Sequence, residues 1–188
     1  MASPPPSSQL PPPPPASQSH FAKFDNFTPD DHAPFDDEFA RLASSQQWVP
    51  GSQEYTKERT IAMREELKFS FFSLALPAAG GGDDELTPQQ LLEGYQLLCD
   101  EVRIPRGESV PECKRALKAT LVNIIDLLNV RRTGGAVEVW DNFDAFRTYT
   151  LADGQRIDKE EAKAAPGILA SLLQNFGRGR NVWVLISP

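Results

Sequence analysis

The chain has 188 residues, 40% of them hydrophobic, which suits one compact domain, and its net charge of −7 disfavours general nucleic-acid binding and attraction to acidic membranes. No apolar run approaches the roughly 20 residues of a membrane span, and the first residues lack the basic-then-apolar pattern of a secretory signal. Two cysteines without a C-x-x-C spacing build no disulfide framework, so a cytoplasmic or nuclear chain with reduced thiols is expected.

Composition divides the chain near residue 34, because ten of the seventeen prolines lie in residues 1–34. That head is expected to be disordered, and residues 35–188 to form a helical domain. Pro11, Pro12, Pro13, Pro14 and Pro15 run consecutively and favour a left-handed extended helix. Such a run is either a solvated spacer or a ligand for SH3- and WW-type grooves. Phe21, Phe24 and Phe27 then appear among acids. They fit a linear motif that folds onto a partner, or a segment that packs back on its own domain.

In the domain, Asp36 or Asp37 is placed to cap a short helix carrying Phe39, Leu42 and Ala43 and ending near Trp48. Ser52 caps a second, with Tyr55, Ala62, Met63, Leu67, Phe71 and Leu74 on one face and Ile61, Phe69, Phe72 and Leu76 on another. Pro77 stops it, and residues 78–85 read as a flexible loop. Thr87 and Gln90 make a capping box with Pro88 in the first turn, opening a helix buried along Leu91, Tyr95, Leu98 and Val102.

Pro105 and Gly107 turn the chain into the strongest helical signal, residues 109–134, so an antiparallel hairpin is expected. Ser109 and Glu112 have capping-box spacing, and Cys113, Leu117, Leu121, Ile124 and Leu128 line one face. Apolar residues widen that face until little polar surface remains, which predicts a buried central helix closed by Gly134. Residues 136–140 (AVEVW) alternate like a short strand, and Asp141 or Asn142 caps a helix with Phe143, Phe146 and Tyr149, closed by Gly154. Asp158 with Glu161 makes another box-like start, followed by Ala162, Leu169, Leu172, Leu173 and Phe176; Pro166 either breaks this stretch or sits in the first turn of a last helix, which Gly177 ends. Residues 181–187 (NVWVLIS) read as a strand able to pair with 136–140.

Chemistry is sparse. Both histidines, His20 and His32, fall in the head, which leaves the expected domain without histidine nucleophile pairs or the usual zinc sites. No dinucleotide or Walker motif is present, so no cofactor or metal is expected. GGG at 80–82 is followed by acids, and GRGR at 177–180 is only a short match to an anion-binding turn. Cys99 and Cys113 flank the hairpin turn and are placed to face each other as small core residues. Arg103, Arg106, Lys114, Arg115, Lys118, Arg131 and Arg132 set seven cations against three acids in one stretch of an acidic chain. That strip is a candidate site for an anion, an acidic partner or RNA phosphate, or else solvates an exposed helix edge. Asn123 and Asp126 interrupt the apolar run and need hydrogen-bond partners if buried.

The segments FARLASSQQWVPGSQEYTKERTIAMREE, LLEGYQLLCDEVRI, PECKRALKATLVNIIDLLNVRRTG and FDAFRTYTL, followed by Ala162-Lys163, resemble a group of small fungal proteins over residues 39–173. The resemblance implies a compact, mostly helical, intracellular domain from a filamentous fungus, and it brings no activity and no functional residues. The proline-rich head and the final NVWVLISP depart from that pattern. The expected architecture is mainly α, five to seven helices with a two-stranded ribbon. The expected function is a non-catalytic protein-interaction or regulatory module. A phosphate or nucleic-acid binder built on the basic strip and an enzyme without histidine are the alternatives.

Overall fold

A computed structural model describes residues 19–72, 86–151 and 168–172. Its elements are a single 3-10 turn at His20–Lys23, then α1 (Phe35–Ser45), α2 (Gln53–Phe72), α3 (Pro88–Glu101) and α4 (Val110–Ala119). These are followed by β1 (Leu121–Val122), α5 (Ile124–Thr133), β2 (Val139–Trp140), α6 (Phe143–Thr150) and α7 (Ile168–Leu172). The protein is mainly helical, with one antiparallel ribbon in which Leu121 faces Trp140 and Val122 faces Val139.

The hub is α2. It packs against α1, α3, α5, α7 and the 3-10 turn, whereas α4 meets α3 and α7. The expectation of a central helix over 109–134 is therefore corrected twice: the helix is broken, and its neighbour α2 takes the centre. Ser52 caps α2 through its hydroxyl, which accepts from Tyr55 N–H at 3.1 Å. Ala62, Met63, Leu67, Phe71 and Phe72 are buried along it, while Ile61 and Phe69 are half-buried. Its length gives one side chain per turn to each of several neighbours, which a ten-residue helix cannot supply.

The break at residues 120–123 has a local cause. Thr120 leaves the helix with φ −96° and ψ 127°, its hydroxyl bonding back to Ala116 O at 2.9 Å. Leu121 and Val122 continue extended, and Asn123 restarts the helix as its N-cap, its Oδ1 accepting from Ile125 N–H at 2.8 Å and Asp126 N–H at 3.4 Å. Thr and Val lower helix propensity by their branching, and Asn offers the backbone a competing acceptor. The apolar residues nevertheless remain inside: Val122, Ile124, Ile125, Leu127 and Leu128 are buried in the main core, Val130 is half-buried against it, and Leu121 is half-buried in the ribbon.

Several local expectations hold and others shift. Thr87 and Gln90 form the reciprocal capping box with Pro88 at the start of α3. Tyr95, Leu98 and Val102 are buried behind it, and Leu91 is half-buried. The α3–α4 hairpin forms, with Gln96 Nε2 donating to Gly107 O at 2.9 Å across the turn. Ser109 makes no side-chain cap, and Glu112 instead accepts from Glu108 N–H at 2.8 Å. Neither Asp36 nor Asp37 caps α1, whose N-cap position is Pro34; Asp36 is drawn away to Arg59. Asn142 does cap α6, accepting from Ala145 N–H at 2.9 Å, and that helix ends at Thr150. The strand expected over 136–140 contracts to Val139–Trp140 and pairs with Leu121–Val122, a segment expected to be helical. Residues 1–18, 73–85, 152–167 and 173–188 lie outside the described part. With them go Leu74, Leu76, the GGG loop, the Asp158–Glu161 start, Pro166, GRGR and the partner strand expected at 181–187.

One core cluster joins α1, α2, α3, α4, α5 and α7, with Phe35, Phe39, Leu67, Phe71, Leu98, Leu117 and Leu127 among its buried members. A second, smaller one gathers Leu121, Trp140 and Leu151 around buried Phe146. Phe21 belongs to the main core and is wholly buried. That moves the start of the packed region from residue 35 back to residue 19.

Candidate functional site

The described residues concentrate their buried charge where residues 19–34, an arm without regular structure beyond its 3-10 turn, cross α1, α2 and α5. Aromatic side chains position the arm. Phe21 sits 5.9 Å from Phe35 and 6.4 Å from Phe27, and Phe24 lies edge-on to Trp48 at 6.0 Å. Of the two readings open for Phe21, Phe24 and Phe27, packing on their own domain is the one the geometry adopts. The neighbouring Pro11–Pro15 run lies outside the described residues.

Arg132 closes the arm. Its Nε donates to Ala33 O and its Nη2 to Asp30 O, both at 2.7 Å, its Nη1 pairs with Glu66 at 3.2 Å, and its guanidinium lies 5.1 Å over the Phe21 ring. Glu66, on α2, also accepts from His20 N–H at 2.7 Å. Further bonds tie the arm down. Lys23 pairs with Glu65 at 3.1 Å, Asp30 N–H donates to Glu38 at 2.7 Å, and Phe35 N–H donates to Asn129 Oδ1 at 2.8 Å. Glu38 is wholly buried and pairs with Arg41, whose Nη2 donates to Thr28 O at 3.2 Å.

Burial decides the protonation of this cluster. His20 is 7% exposed, and both ring nitrogens are enclosed with no hydrogen-bond partner among the described residues. Desolvation, reinforced by the charge of Lys23, pushes its pKa down to about 4. Desolvation pushes Glu66 up to about 7 against the opposing pull of the His20 N–H and the Arg132 guanidinium. The expectation of a domain without histidine is thus corrected, since His20 is inside it. Its imidazole faces Phe21 and Phe24, at 6.1 Å and 5.4 Å, rather than a nucleophile.

The seven cations of the basic strip do not form one surface. Arg131 and Arg132, each 8% exposed, point inward, Arg131 to Glu101 at 3.4 Å and Ser70 O at 3.3 Å. Two guanidinium groups at the end of α5 are thereby consumed in holding α2, α3 and the arm, which removes them from any surface site. Arg106 is engaged by both carboxylate oxygens of Asp100, and Lys114 lies 5.0 Å over the Tyr95 ring. Arg103, Arg115 and Lys118 are exposed.

Cys99 and Cys113 do approach each other. Both are buried free thiols, and Cys113 Sγ lies 3.7 Å from Gly107 O. Burial and the neighbouring Cys113 push the Cys99 thiol up to about 12, the wrong direction for a redox nucleophile. Asp126 accepts from Tyr149 O–H at 2.9 Å, which ties α6 to α5, and burial raises its pKa. Among the described residues no group of three His, Cys, Asp or Glu is placed to hold a metal, and no helix is long and apolar enough to cross a membrane.

Sequence reasoning missed Glu66, Glu38 and Asn129 as anchors of the arm. The only signal was Glu66 between Ala62, Met63, Leu67 and Phe71, a carboxylate on the buried face of α2. No protein-family model, curated protein or solved structure matches the chain.

Proposed function

We propose that this chain is a non-catalytic interaction module of the cell interior that presents its proline-rich head to a protein partner. The observation that carries the reading is the anchored arm. His20 is bonded to Glu66 of α2 five residues beyond Pro15, so the five-proline run is tethered to a folded body rather than placed at the end of a long free tail. A short tether raises the effective concentration of a ligand relative to any second contact made by the body. The extended proline helix is preorganised, so little conformational entropy is lost when a groove of aromatic residues takes it.

The ionisable groups in the packed region support the same reading. Arg131–Glu101, Arg132–Glu66 and Arg59–Asp36 join elements to one another, which is the work of a scaffold. The two free, buried thiols suit a reducing compartment, in keeping with the cytoplasm or nucleus. The test is affinity capture from native cell extract with the full chain and with a chain lacking residues 1–18. Partners lost with the head support the reading, and an unchanged set of partners discards it. The cut belongs at 18 because removing residues 1–34 would also strip Phe21 from the core.

A further inference from the structure

We infer that Thr28 is a phosphorylation site for proline-directed serine/threonine kinases, and that its phosphate loosens the arm. Two Thr-Pro pairs fall among the described residues, and they differ in what the hydroxyl is doing. Thr87 is the N-cap of α3, its hydroxyl accepting from Gln90 N–H at 3.3 Å at the start of a 14-residue helix. Thr28 is exposed and outside any helix or strand, and among the described residues it is held through its carbonyl, which accepts from Arg41 Nη2 at 3.2 Å. Pro29 biases the backbone of Thr28 toward the extended conformation in which a kinase cleft takes its substrate. In the reaction the γ-phosphoryl group of ATP passes to Thr28 Oγ1, the bond to ADP breaks, and the hydroxyl proton leaves to a base of the kinase.

The consequence follows from what surrounds Thr28. Asp25, Asp30 and Asp31 are within three residues of it, and Glu38 receives Asp30 N–H at 2.7 Å. The cation at hand is Arg41, whose side chain is half exposed while its partner Glu38 is wholly buried. A phosphate of charge near −2 competes for that guanidinium. When Arg41 turns to the phosphate, Glu38 keeps a buried carboxylate with Asp30 N–H alone, which is unfavourable, and the bond from Arg41 to the arm's own backbone is given up. The inference rests on the arm's geometry and is independent of the proline-run reading, since it names no partner.

The test uses the full chain, Mg·ATP and a purified proline-directed kinase, with sites mapped by mass spectrometry. Phosphate at Thr28 in excess over Thr87, absent in Thr28→Ala, is the expected result. Phosphate mainly at Thr87, only outside residues 19–34, or nowhere in the chain overturns the site. The phosphorylated and unmodified chains are then compared by limited trypsin digestion at Lys23. Cleavage several-fold faster in the phosphorylated chain is expected, with Arg41→Met reproducing much of that rate without phosphate. Equal rates with and without phosphate overturn the loosening.

Discussion

At the scale of single residues, the arm cluster couples two titrations that run in opposite directions. His20 moves from the ordinary 6.5 of a free imidazole to about 4 when folded, so its contribution to stability is present above pH 6.5 and is lost as the pH falls toward 4. Glu66 moves from 4.5 to about 7, so its contribution is present below pH 4.5 and is lost as the pH rises through 7. Between pH 4.5 and 6.5 folding in effect moves one proton from the imidazole to the carboxyl, and the two slopes offset. Urea unfolding across this window should therefore separate the two groups. His20→Phe is expected to make stability fall more steeply than wild type as pH rises from 4.5 to 7. Glu66→Gln, which keeps an oxygen for His20 N–H, is expected to make it rise more steeply from 4 to 6.5. At pH 7, His20→Phe should be neutral or stabilising by about 1 kcal/mol, because it removes an enclosed ring nitrogen with no partner among the described residues. Two other residues sit in the left-handed region at helix ends, Gln47 (φ 61°) and Arg103 (φ 58°). Trp48 N–H returns to Ala43 O and Ile104 N–H to Cys99 O, both at 2.9 Å, the pattern that favours glycine between them. Gln47→Gly is expected to raise stability by about 0.5–1 kcal/mol, seen as a later urea midpoint.

At the scale of elements, what the sequence discloses is what one segment decides alone. Thr87, Pro88 and Gln90 specify the start of α3 through contacts within four residues, and the structure keeps them. The end of α4 is different. Cys113, Leu117, Leu121, Ile124 and Leu128 keep a helical period across residues 120–123 because both α4 and α5 bury their faces, so periodicity hides the break. Asn123 was its visible marker, an N-cap rather than a polar interruption, yet Leu121 and Val122 become a strand only because Val139 and Trp140 lie 17 or more residues away to pair with them. The arm was illegible for the same reason: Phe21 and Arg132 are 111 positions apart and meet only after folding. Asn123→Ala tests the restart of α5 and should cost about 0.5–2 kcal/mol, since two N–H groups lose their acceptor. The packing of α2 on α3 is stricter. A Cβ at Gly94 would lie 2.3 Å from Phe72 Cδ1, and Phe72 is itself fixed edge-on to Tyr95 at 5.4 Å. The ring is enclosed on both sides, so Gly94→Ala should destabilise by about 1–3 kcal/mol or more, read as an earlier unfolding midpoint, despite the better helix propensity of alanine.

At the scale of the molecule, the question is where the folded body begins. Composition places that boundary after the last proline of the head, but among the described residues the contacts that hold the arm begin at residue 19. His20 N–H on Glu66, Phe21 in the core, and the carbonyls of Asp30 and Ala33 on Arg132 make the arm a structural part of the domain. Truncation distinguishes these boundaries. A chain starting at residue 19 should unfold at the same denaturant concentration as the full chain, because it retains every anchor of the arm found among the described residues. A chain starting at residue 35 loses the burial of Phe21, worth about 1.5–3 kcal/mol. It also exposes Phe35 and leaves Glu66 and Arg132 with only each other, so that the guanidinium gives up two carbonyl partners in a partly buried site. The sum is a large part of the roughly 5–15 kcal/mol that stabilises an ordinary domain, and the shorter chain should unfold at markedly lower denaturant or fail to fold. Equal midpoints for the two truncations would place the boundary at residue 35 after all and make the arm a dispensable cover over a core complete without it.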